Sequence, residues 1–374
     1  MTSLYRVNDF SLGAEEKKLV LECLDTGWIS SEGPFVKEFE TKFADFVSRK
    51  YGIAVTNGTA ALDLSVAALE IKKGDEVIVP TFTIISCVLQ LIRVGAIPVF
   101  VDLDEKTWNM NIEQIEEKIT IKTKAIMMVH IYSHPVDIDK VLNLAKKYDL
   151  KIIEDAAEMI GQKYKDKYCG SFGDISTFSF YPNKHITTGE GGMVLTNSEK
   201  LAEKCRSLRN LAFKKEERFV HDELGWNLRM TNLQAALGLG QLSRIDKTVL
   251  MKRKIGEVYT SQLNEIQNIV LSPVKTHYSK NIYWVFGVLL DSEKYDKGKI
   301  IEELMNSGIQ TRPFFCPMHM QPVLKKYSFF KNEKYPIAEK FYKEGFYLPS
   351  GLSLSQNDII HICTVFKNIL KKFG

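Results

Sequence analysis

The sequence has no long apolar run, no block of like charges and no closely spaced pair of cysteines. No stretch approaches the roughly 18 apolar residues that a membrane span needs, and Met1–Arg6 lacks the apolar segment of a signal peptide. The 50 basic and 46 acidic residues are interspersed, so no field of one sign points to nucleic acid or a membrane. We therefore expect a cytoplasmic protein whose partners include neither.

The cysteines are scattered, and no histidine stands at metal-ligand spacing beside them. Reduced thiols are the simplest interpretation of such a pattern, and neither a disulfide nor a metal site is expected. These cysteines are Cys23, Cys87, Cys169, Cys205, Cys316 and Cys363.

Short β-branched runs alternate with helical patterns along the first two thirds of the chain, which is typical of a mostly parallel sheet with helices on both faces. The predicted strands are Gly52–Thr56, Glu76–Pro80, Ile97–Asp102, Ala125–Ile131, Lys151–Ala156, Ile175–Phe180 and Gly192–Asn197. The predicted helices between them are Thr59–Leu69, Ile112–Ile119, Asp137–Tyr148 and Glu199–Leu211.

The alternation stops after about Asp246, where a helix rich in lysine and arginine is followed by a mixed segment and an amphipathic helix near Asn357–Lys371. A chain of 374 residues is long enough for more than one domain. We predict a large cofactor-binding domain over residues 1–245 and a small C-terminal domain over residues 246–374.

Ligands of open α/β sheets bind beyond the carboxyl ends of the strands. After the first predicted strand, Asn57-Gly58-Thr59 forms a glycine turn that opens a helix, and the N-terminus of a helix can hold a phosphate. The alternative is that Asn57 or Thr59 only caps the helix.

An acidic pair, Glu154-Asp155, ends another apolar strand. A buried carboxylate needs a partner, and a protonated pyridine nitrogen would serve, because the carboxylate keeps the ring cationic and able to accept electrons. An acidic helix start stabilised by the helix dipole is an equal alternative for Glu154 and a weaker one for Asp155.

Lys184 lies on a loop between two apolar strands, with Ser179 before it and the glycine-rich turn Gly189–Gly192 after it. Partial burial lowers the pKa of an ammonium group and supplies the free amine that a Schiff base requires. A loop lysine is usually a surface residue, but the combination with Asp155 and Gly58-Thr59 favours function. We predict that Lys184 binds pyridoxal 5′-phosphate (PLP) as a Schiff base, in an enzyme of amine chemistry, an aminotransferase.

Five stretches, in this order and spacing, carry a family resemblance over almost the whole chain: Asn57–Leu62, Gly74–Pro80, Glu154–Glu158, Ser179–Lys184 and Gly189–Gly192. The chain resembles the DegT/DnrJ/EryC1/StrS family of PLP-dependent sugar aminotransferases. The resemblance implies an α/β fold of the PLP-dependent transferase type I (aspartate aminotransferase-like). It implies a large domain with a mostly parallel seven-stranded sheet, a smaller C-terminal α+β domain, and a homodimer.

The resemblance also implies roles for single residues. Lys184 would bind the cofactor and move a proton, Asp155 would pair with the pyridine nitrogen, and Glu158 would lie near the phenolic oxygen. Gly58, Thr59 and Ser179 would hold the phosphate, completed by Asn227 from the partner subunit. The candidate substrate residues are Trp28, Ser30, His185, Arg229, Arg312 and His319. For Arg312 and His319 an interdomain salt bridge or hydrogen bond is an equal alternative.

Several positions depart from the family pattern. Ile84 stands where relatives place an aromatic ring that stacks on the cofactor, and His185 replaces the usual threonine beside the lysine. The asparagine expected within Ser86–Gln90 is absent, and Trp226 differs from the tyrosine of the branch that the chain resembles best. The residues expected to bind the cofactor match the family pattern, whereas several residues expected to face the substrate differ from it.

The predicted reaction passes the amino group of L-glutamate to a keto group of a nucleotide-linked keto-deoxy sugar for surface polysaccharide biosynthesis. The alternative acceptor is a small phosphorylated ketone similar to dihydroxyacetone phosphate, for capsule decoration. A sugar dehydratase of the same family is less favoured, because there a histidine replaces the lysine. A non-catalytic PLP-binding protein is also less favoured, since no additional binding segment is recognised in the sequence.

Overall fold

Six strands of the larger sheet run in one direction and a seventh runs against them. The computed structural model describes residues 4–214, 216–327 and 333–373. Its strands are β1 (Tyr51–Val55), β2 (Glu76–Pro80), β3 (Ile97–Val101), β4 (Thr123–Val129), β5 (Lys151–Asp155), β6 (Lys163–Tyr164), β7 (Lys167–Tyr168), β8 (Ile175–Ser179), β9 (Gly192–Thr196), β10 (Ile269–Leu271), β11 (Phe286–Leu290), β12 (Arg312–Pro313) and β13 (Gly345–Leu348).

The larger sheet has the order β1-β9-β8-β5-β4-β2-β3, with β9 antiparallel to both neighbours. The helices are α1 (Ala14–Thr26), α2 (Pro34–Val47), α3 (Gly58–Ala68), α4 (Ser86–Arg93), α5 (Ile138–Tyr148), α6 (Glu199–Arg209), α7 (Asn232–Leu242), α8 (Ile245–Leu263), α9 (Lys297–Asn306), α10 (Pro336–Glu344) and α11 (Gln356–Phe373).

The central strands are apolar along their length because both faces of the sheet are covered. Val77 and Val79 of β2 pack into one buried cluster, whereas Ile78, between them, packs into a second cluster on the opposite face. All seven predicted strands are confirmed, with ends that differ by at most two residues. This architecture places the carboxyl ends of β2, β4, β5 and β8 side by side.

The predicted helix over Ile112–Ile119 is wrong. Two single 3₁₀ turns, Ile112–Gln114 and Glu116–Lys118, occupy this segment, with the Asn111 side chain accepting from the Glu113 N–H. Eight residues are too few for a helix that is stable on its own, and 3₁₀ turns are common as short connectors. Ile112, Ile115 and Ile119 therefore pack in or against the core although this segment is not an α-helix.

The smaller sheet is antiparallel, with the order β10-β11-β13-β12, and it packs with α8, α9 and α11 around a separate buried cluster. All four strands come after Asp246, in the predicted small domain, although the boundary itself stays a prediction. The start of the chain also reaches this region, because the Tyr5 N–H donates to the Gly308 carbonyl at 2.8 Å and the Tyr5 carbonyl accepts from the Gln310 N–H.

All six cysteines are free. Within the described ranges, no group of histidine, cysteine, aspartate and glutamate side chains is arranged to hold a metal ion. None of the helices described is both long and apolar enough to cross a membrane.

Candidate active site

A cavity of about 510 Å³ opens at the carboxyl ends of the parallel strands. This volume lies within the range of roughly 300–1,000 Å³ that is usual for small-molecule sites. Residues that end or follow β1, β2, β4, β5 and β8 line it from the large sheet. From the C-terminal part of the chain, Trp284, Arg312, Phe315 and Tyr347 close the other side.

The N-terminus of α3 forms one end of the cavity. The Asn57 side chain caps the helix by accepting from the Ala60 N–H at 2.8 Å, which leaves the earlier N–H groups of Gly58 and Thr59 without an intrahelical acceptor. A Cβ atom on Gly58 would stand 2.9 Å from the Cβ of Ser179, so only glycine fits there. The Thr59 hydroxyl lies 2.8 Å from that of Ser86. Exposed N–H groups and hydroxyls suit an anion such as a phosphate.

Asp155 is the last residue of β5, and its carboxylate is buried at the cavity wall. Its Oδ1 accepts from the Ala157 N–H at 3.0 Å, and its Oδ2 accepts from the Cys87 thiol at 3.2 Å. Burial, reinforced by the Asp155 charge, raises the pKa of the Cys87 thiol well above its usual value, so the thiol remains a donor. One donor at each oxygen fixes the carboxylate and leaves lone pairs for a cationic partner.

Glu154, the neighbour of Asp155, points away from the cavity. Its carboxylate is fully buried and accepts from the N–H groups of Phe172 and Gly173, from the Ser176 hydroxyl, and from the His130 ring at 3.2 Å. Burial alone would raise the pKa of Glu154, but these donors outweigh it and the pKa is lowered. Glu154 is a structural anchor within β5, so the alternative of an acidic helix start is wrong for it.

Lys184 projects into the cavity, where its Nζ lies 4.0 Å from Oε1 of Glu158 and 3.8 Å from the ring centroid of Trp284. Burial lowers the pKa of Lys184, while the charges of Glu158 and Asp155 oppose the shift. Burial also raises the pKa of Glu158 to about 7, although its Oε2 accepts from the Tyr132 N–H at 2.6 Å. A lysine in this environment yields its proton more readily than one in water.

The sequence reasoning missed the aromatic side chains Tyr181, Trp284, Phe315 and Tyr347, which line the cavity, and Tyr132, which is buried behind Phe315. The Tyr132 ring stacks on Phe315, with ring centroids 5.4 Å apart, and its hydroxyl accepts from the Phe315 N–H. Aromatic residues in the second domain were a weak signal, because they are equally typical of a core. Ile84, in contrast, lines the cavity as predicted and is 49% exposed.

Six candidate residues do not line this cavity, and four of them are Trp28, Ser30, Asn227 and Arg229. Trp28 and Ser30 follow α1, where their carbonyl oxygens accept from Asn232, and the Trp28 side chain is half exposed. Asn227 and Arg229 are joined by a hydrogen bond of 3.0 Å, and Arg229 lies 3.7 Å from Glu32. Although Arg229 is paired with Val55 of β1, none of these four side chains is among the residues that line the cavity of the same chain.

Two histidines predicted near the substrate are turned into the protein. His185 is buried, and its Nδ1 bonds the Ile160 carbonyl at 3.0 Å. His319 is buried between the Thr81 hydroxyl, 2.8 Å from Nδ1, and the Glu339 carboxylate, 3.2 Å from Nε2. The hydrogen-bond alternative therefore describes His319, whereas Arg312 does line the cavity and is exposed.

The residues present fit pyridoxal phosphate. The α3 N-terminus with Ser179 offers an anion cradle, Asp155 offers a fixed carboxylate for a pyridinium nitrogen, and Lys184 offers an amine on the same cavity.

Comparison with known proteins gives a consistent picture. Residues 11–367 match the DegT/DnrJ/EryC1/StrS aminotransferase family. The chain is 44% identical to the GDP-perosamine synthase of Escherichia coli O157:H7 over 94% of this chain and 95% of that protein. It is 40% identical to the GDP-perosamine synthase of Vibrio cholerae over 96% and 97% of the two chains. The PLP form of the sugar aminotransferase Spr1654 from Streptococcus pneumoniae superposes with a TM-score of 0.92 at 26% identity, covering 99% and 100%.

Proposed function

Because the chain belongs to the DegT/DnrJ/EryC1/StrS aminotransferase family, we propose that it passes the amino group of L-glutamate to a keto group of a nucleotide-linked keto-deoxy sugar, for surface polysaccharide biosynthesis. The protein is a PLP-dependent aminotransferase with the aspartate aminotransferase-like fold of type I. The observation that carries the proposal is the buried amine of Lys184, which shares one cavity with Asp155 and the α3 N-terminus.

When bound, PLP supplies an electron sink that stabilises negative charge at the amine-bearing carbon. Lys184 would hold the cofactor through its amine and, once free, move a proton at that carbon, because burial makes its basic form accessible. Asp155 would hold the pyridine nitrogen in its protonated state. Gly58, Thr59 and Ser179 would bind the phosphate, and Glu158 would lie beside the phenolic oxygen.

The proposed acceptor is a GDP-linked sugar. Relatives named GDP-perosamine synthase cover nearly the whole chain, which supports a sugar nucleotide over a small phosphorylated ketone. Arg312 is exposed at the cavity, where a guanidinium suits a phosphate or a sugar hydroxyl. We propose Arg312 as the substrate residue that this chain contributes to its own cavity.

We further propose a homodimer in which Asn227 completes the phosphate site of the partner. Asn227 and Arg229 do not line the cavity of their own chain, and exposed apolar side chains lie near them in the structure. Trp28, Ile29 and Trp226 are among them. Exposed apolar patches of this kind are typical of protein interfaces. In such a dimer, Trp28, Ser30 and Arg229 would belong to the substrate site of the partner.

The test uses the purified protein with PLP, L-glutamate and separate keto acceptors. The acceptors are keto-deoxy sugars linked to GDP, UDP or dTDP, together with dihydroxyacetone phosphate. We expect mass spectrometry to show replacement of the keto oxygen by an amine only with a sugar nucleotide, fastest with the GDP-linked one. The proposal would be contradicted if dihydroxyacetone phosphate were the only acceptor that is aminated. It would also be contradicted if no acceptor were aminated with L-glutamate as the donor.

A further inference from the structure

A second lysine of unusual burial lies behind the wall of the cavity. Lys252 of α8 is 2% exposed, and its Nζ donates to the carbonyl oxygens of Trp284, at 2.9 Å, and Ser350, at 2.5 Å. In the described part of the chain it forms no ion pair with a carboxylate. Burial lowers its pKa to about 7, which Asp9 only partly offsets. Burying an amine without a counter-ion is costly, so its position calls for an explanation.

One acceptor of Lys252 is the backbone of the tryptophan that covers Lys184. Trp284 is 3% exposed and is held at three points. Its N–H donates to the Ser133 hydroxyl, its carbonyl accepts from Lys252, and its indole N–H donates to the Asn183 carbonyl at 2.6 Å. Asn183 directly precedes Lys184, so the indole is bonded to the same loop that carries the lysine.

The indole face stands against the Lys184 amine. The distance from Nζ to the ring centroid is 3.8 Å, well inside the limit of about 6 Å within which an ammonium is attracted to an aromatic face. Glu158, at 4.0 Å, is the one ion-pair partner of Lys184 among the described residues. The ring therefore provides the nearest favourable contact for the charged form of the lysine.

We infer that Trp284 is a positioning residue for Lys184, holding its free ammonium against the indole face, and that Lys252 is buried because it fixes Trp284 in that place. A neutral amine keeps two N–H donors, so Lys252 holds both carbonyls whether or not it is protonated. The inference rests on the proposed role of Lys184 as the cofactor lysine.

Such a contact gives Lys184 a defined position whenever it is not bound to the cofactor. It also favours the ammonium form, against the effect of burial. The charged and titratable groups that act on Lys184 or share its cavity wall are Glu158, Asp155, Cys87, His130, Arg312, Glu190, Tyr181 and Tyr347, and those that act on or beside Lys252 are Asp9 and His185.

The test measures the protonation of Lys184 rather than turnover. The full-length enzyme is converted to its pyridoxamine phosphate form, so that Lys184 is free, and is acylated briefly with an amine-reactive reagent at a series of pH values. Mass spectrometry of the Lys184 peptide gives the pH midpoint. We expect Trp284→Leu to lower this midpoint by about one pH unit, a tenfold change, and Trp284→Phe to lower it by about half as much.

Lys252→Met should shift the midpoint in the same direction by a smaller amount, without touching Lys184. Lys297→Met is the matched control, because Lys297 also donates to two backbone carbonyls, those of Tyr342 and Gly345, in the same part of the chain. Lys297→Met should lower the melting temperature without changing the pH midpoint for acylation of Lys184.

An unchanged midpoint in folded Trp284→Leu would overturn the role of Trp284. An unchanged midpoint in Lys252→Met, with a loss of stability like that of Lys297→Met, would leave Lys252 as a purely structural residue. Failure of the cofactor assignment is recognised separately, because borohydride reduction of the PLP form would then not attach the cofactor to the Lys184 peptide.

Discussion

Oε1 of Glu158 lies 4.0 Å from Nζ of Lys184, and the two side chains are only 8% and 10% exposed. Burial moves their pKa values towards each other, raising that of Glu158 to about 7 and lowering that of Lys184. The two groups therefore compete for a proton more evenly than a glutamate and a lysine in water, which are both charged near neutral pH.

Replacing Glu158 by Gln removes the group with the pKa of about 7 and keeps the shape of the side chain. We expect the limb of the kcat/KM profile near pH 7 to disappear in Glu158→Gln, while activity at the optimum falls by less than about tenfold. Glu190→Gln, an exposed carboxylate of the same cavity, should retain the limb. If the limb near pH 7 persists in Glu158→Gln, a group other than Glu158 is responsible for it.

Replacing Lys184 by Ala removes the only amine that we place at the cofactor. We expect loss of the visible absorbance band of bound PLP and a fall in turnover of at least about a thousandfold. Lys165→Ala, an exposed lysine paired with Asp139, should keep both. Full activity in Lys184→Ala would refute the central assignment.

The proposed dimer can be tested by subunit mixing. Lys184→Ala and Asn227→Ala should each be inactive alone, but a mixed dimer contains one site with both native residues. After unfolding and refolding together in equal amounts, about a quarter of the wild-type sites should be restored in a two-fold symmetric dimer. Restoration can be followed by the rate of amine transfer. Native mass spectrometry verifies that mixed dimers have formed. If they form without recovery of activity, Lys184 and Asn227 do not complete one site from two different chains.

Because His185 is buried, we expect it to make the folded protein less stable in acid. Burial lowers its pKa to about 3, whereas in the unfolded chain the value is near 6.5. The unfolded chain therefore takes up a proton first as the pH falls, and stability is lost between pH 6.5 and 3. At pH 5 this loss is about 2 kcal/mol, and His185→Thr should lose that much less stability than the wild type, because buried His134, whose pKa is lowered to about 4, weakens both proteins alike. The measurement compares urea unfolding at pH 7 and pH 5, with exposed His361→Thr as the control that retains the loss.

The sequence predicted the parts of the fold that depend on local pattern. The seven strands were recognised from their β-branched runs, and the order of Asn57, Asp155 and Lys184 after strand ends indicated that they converge. The helices α1 and α2 were not predicted, although Pro34 at the start of α2 is a common helix signal.

The direction of single side chains and the packing of the two domains could not be predicted from local sequence patterns. His185 is the neighbour of Lys184 but points to Ile160, because adjacent residues on a turn need not share a face. Trp284 reaches Lys184 from 100 positions later in the chain, through the contact of the second domain with the first. Long-range packing of this kind leaves no periodic trace in the sequence.

The hydrogen bonds of Tyr5 and Val7 with residues 308–310 set an order of events during synthesis. The Val7 N–H and the Gln310 side chain that accepts from it are 303 positions apart. At roughly 5–20 residues per second, the ribosome needs on the order of 15–60 s to make the second partner after the first has emerged. β13, which lies between β11 and β12, is completed later still. Tyr5 and Val7 are thus made long before residues 308–310 and can dock only after those residues have been made.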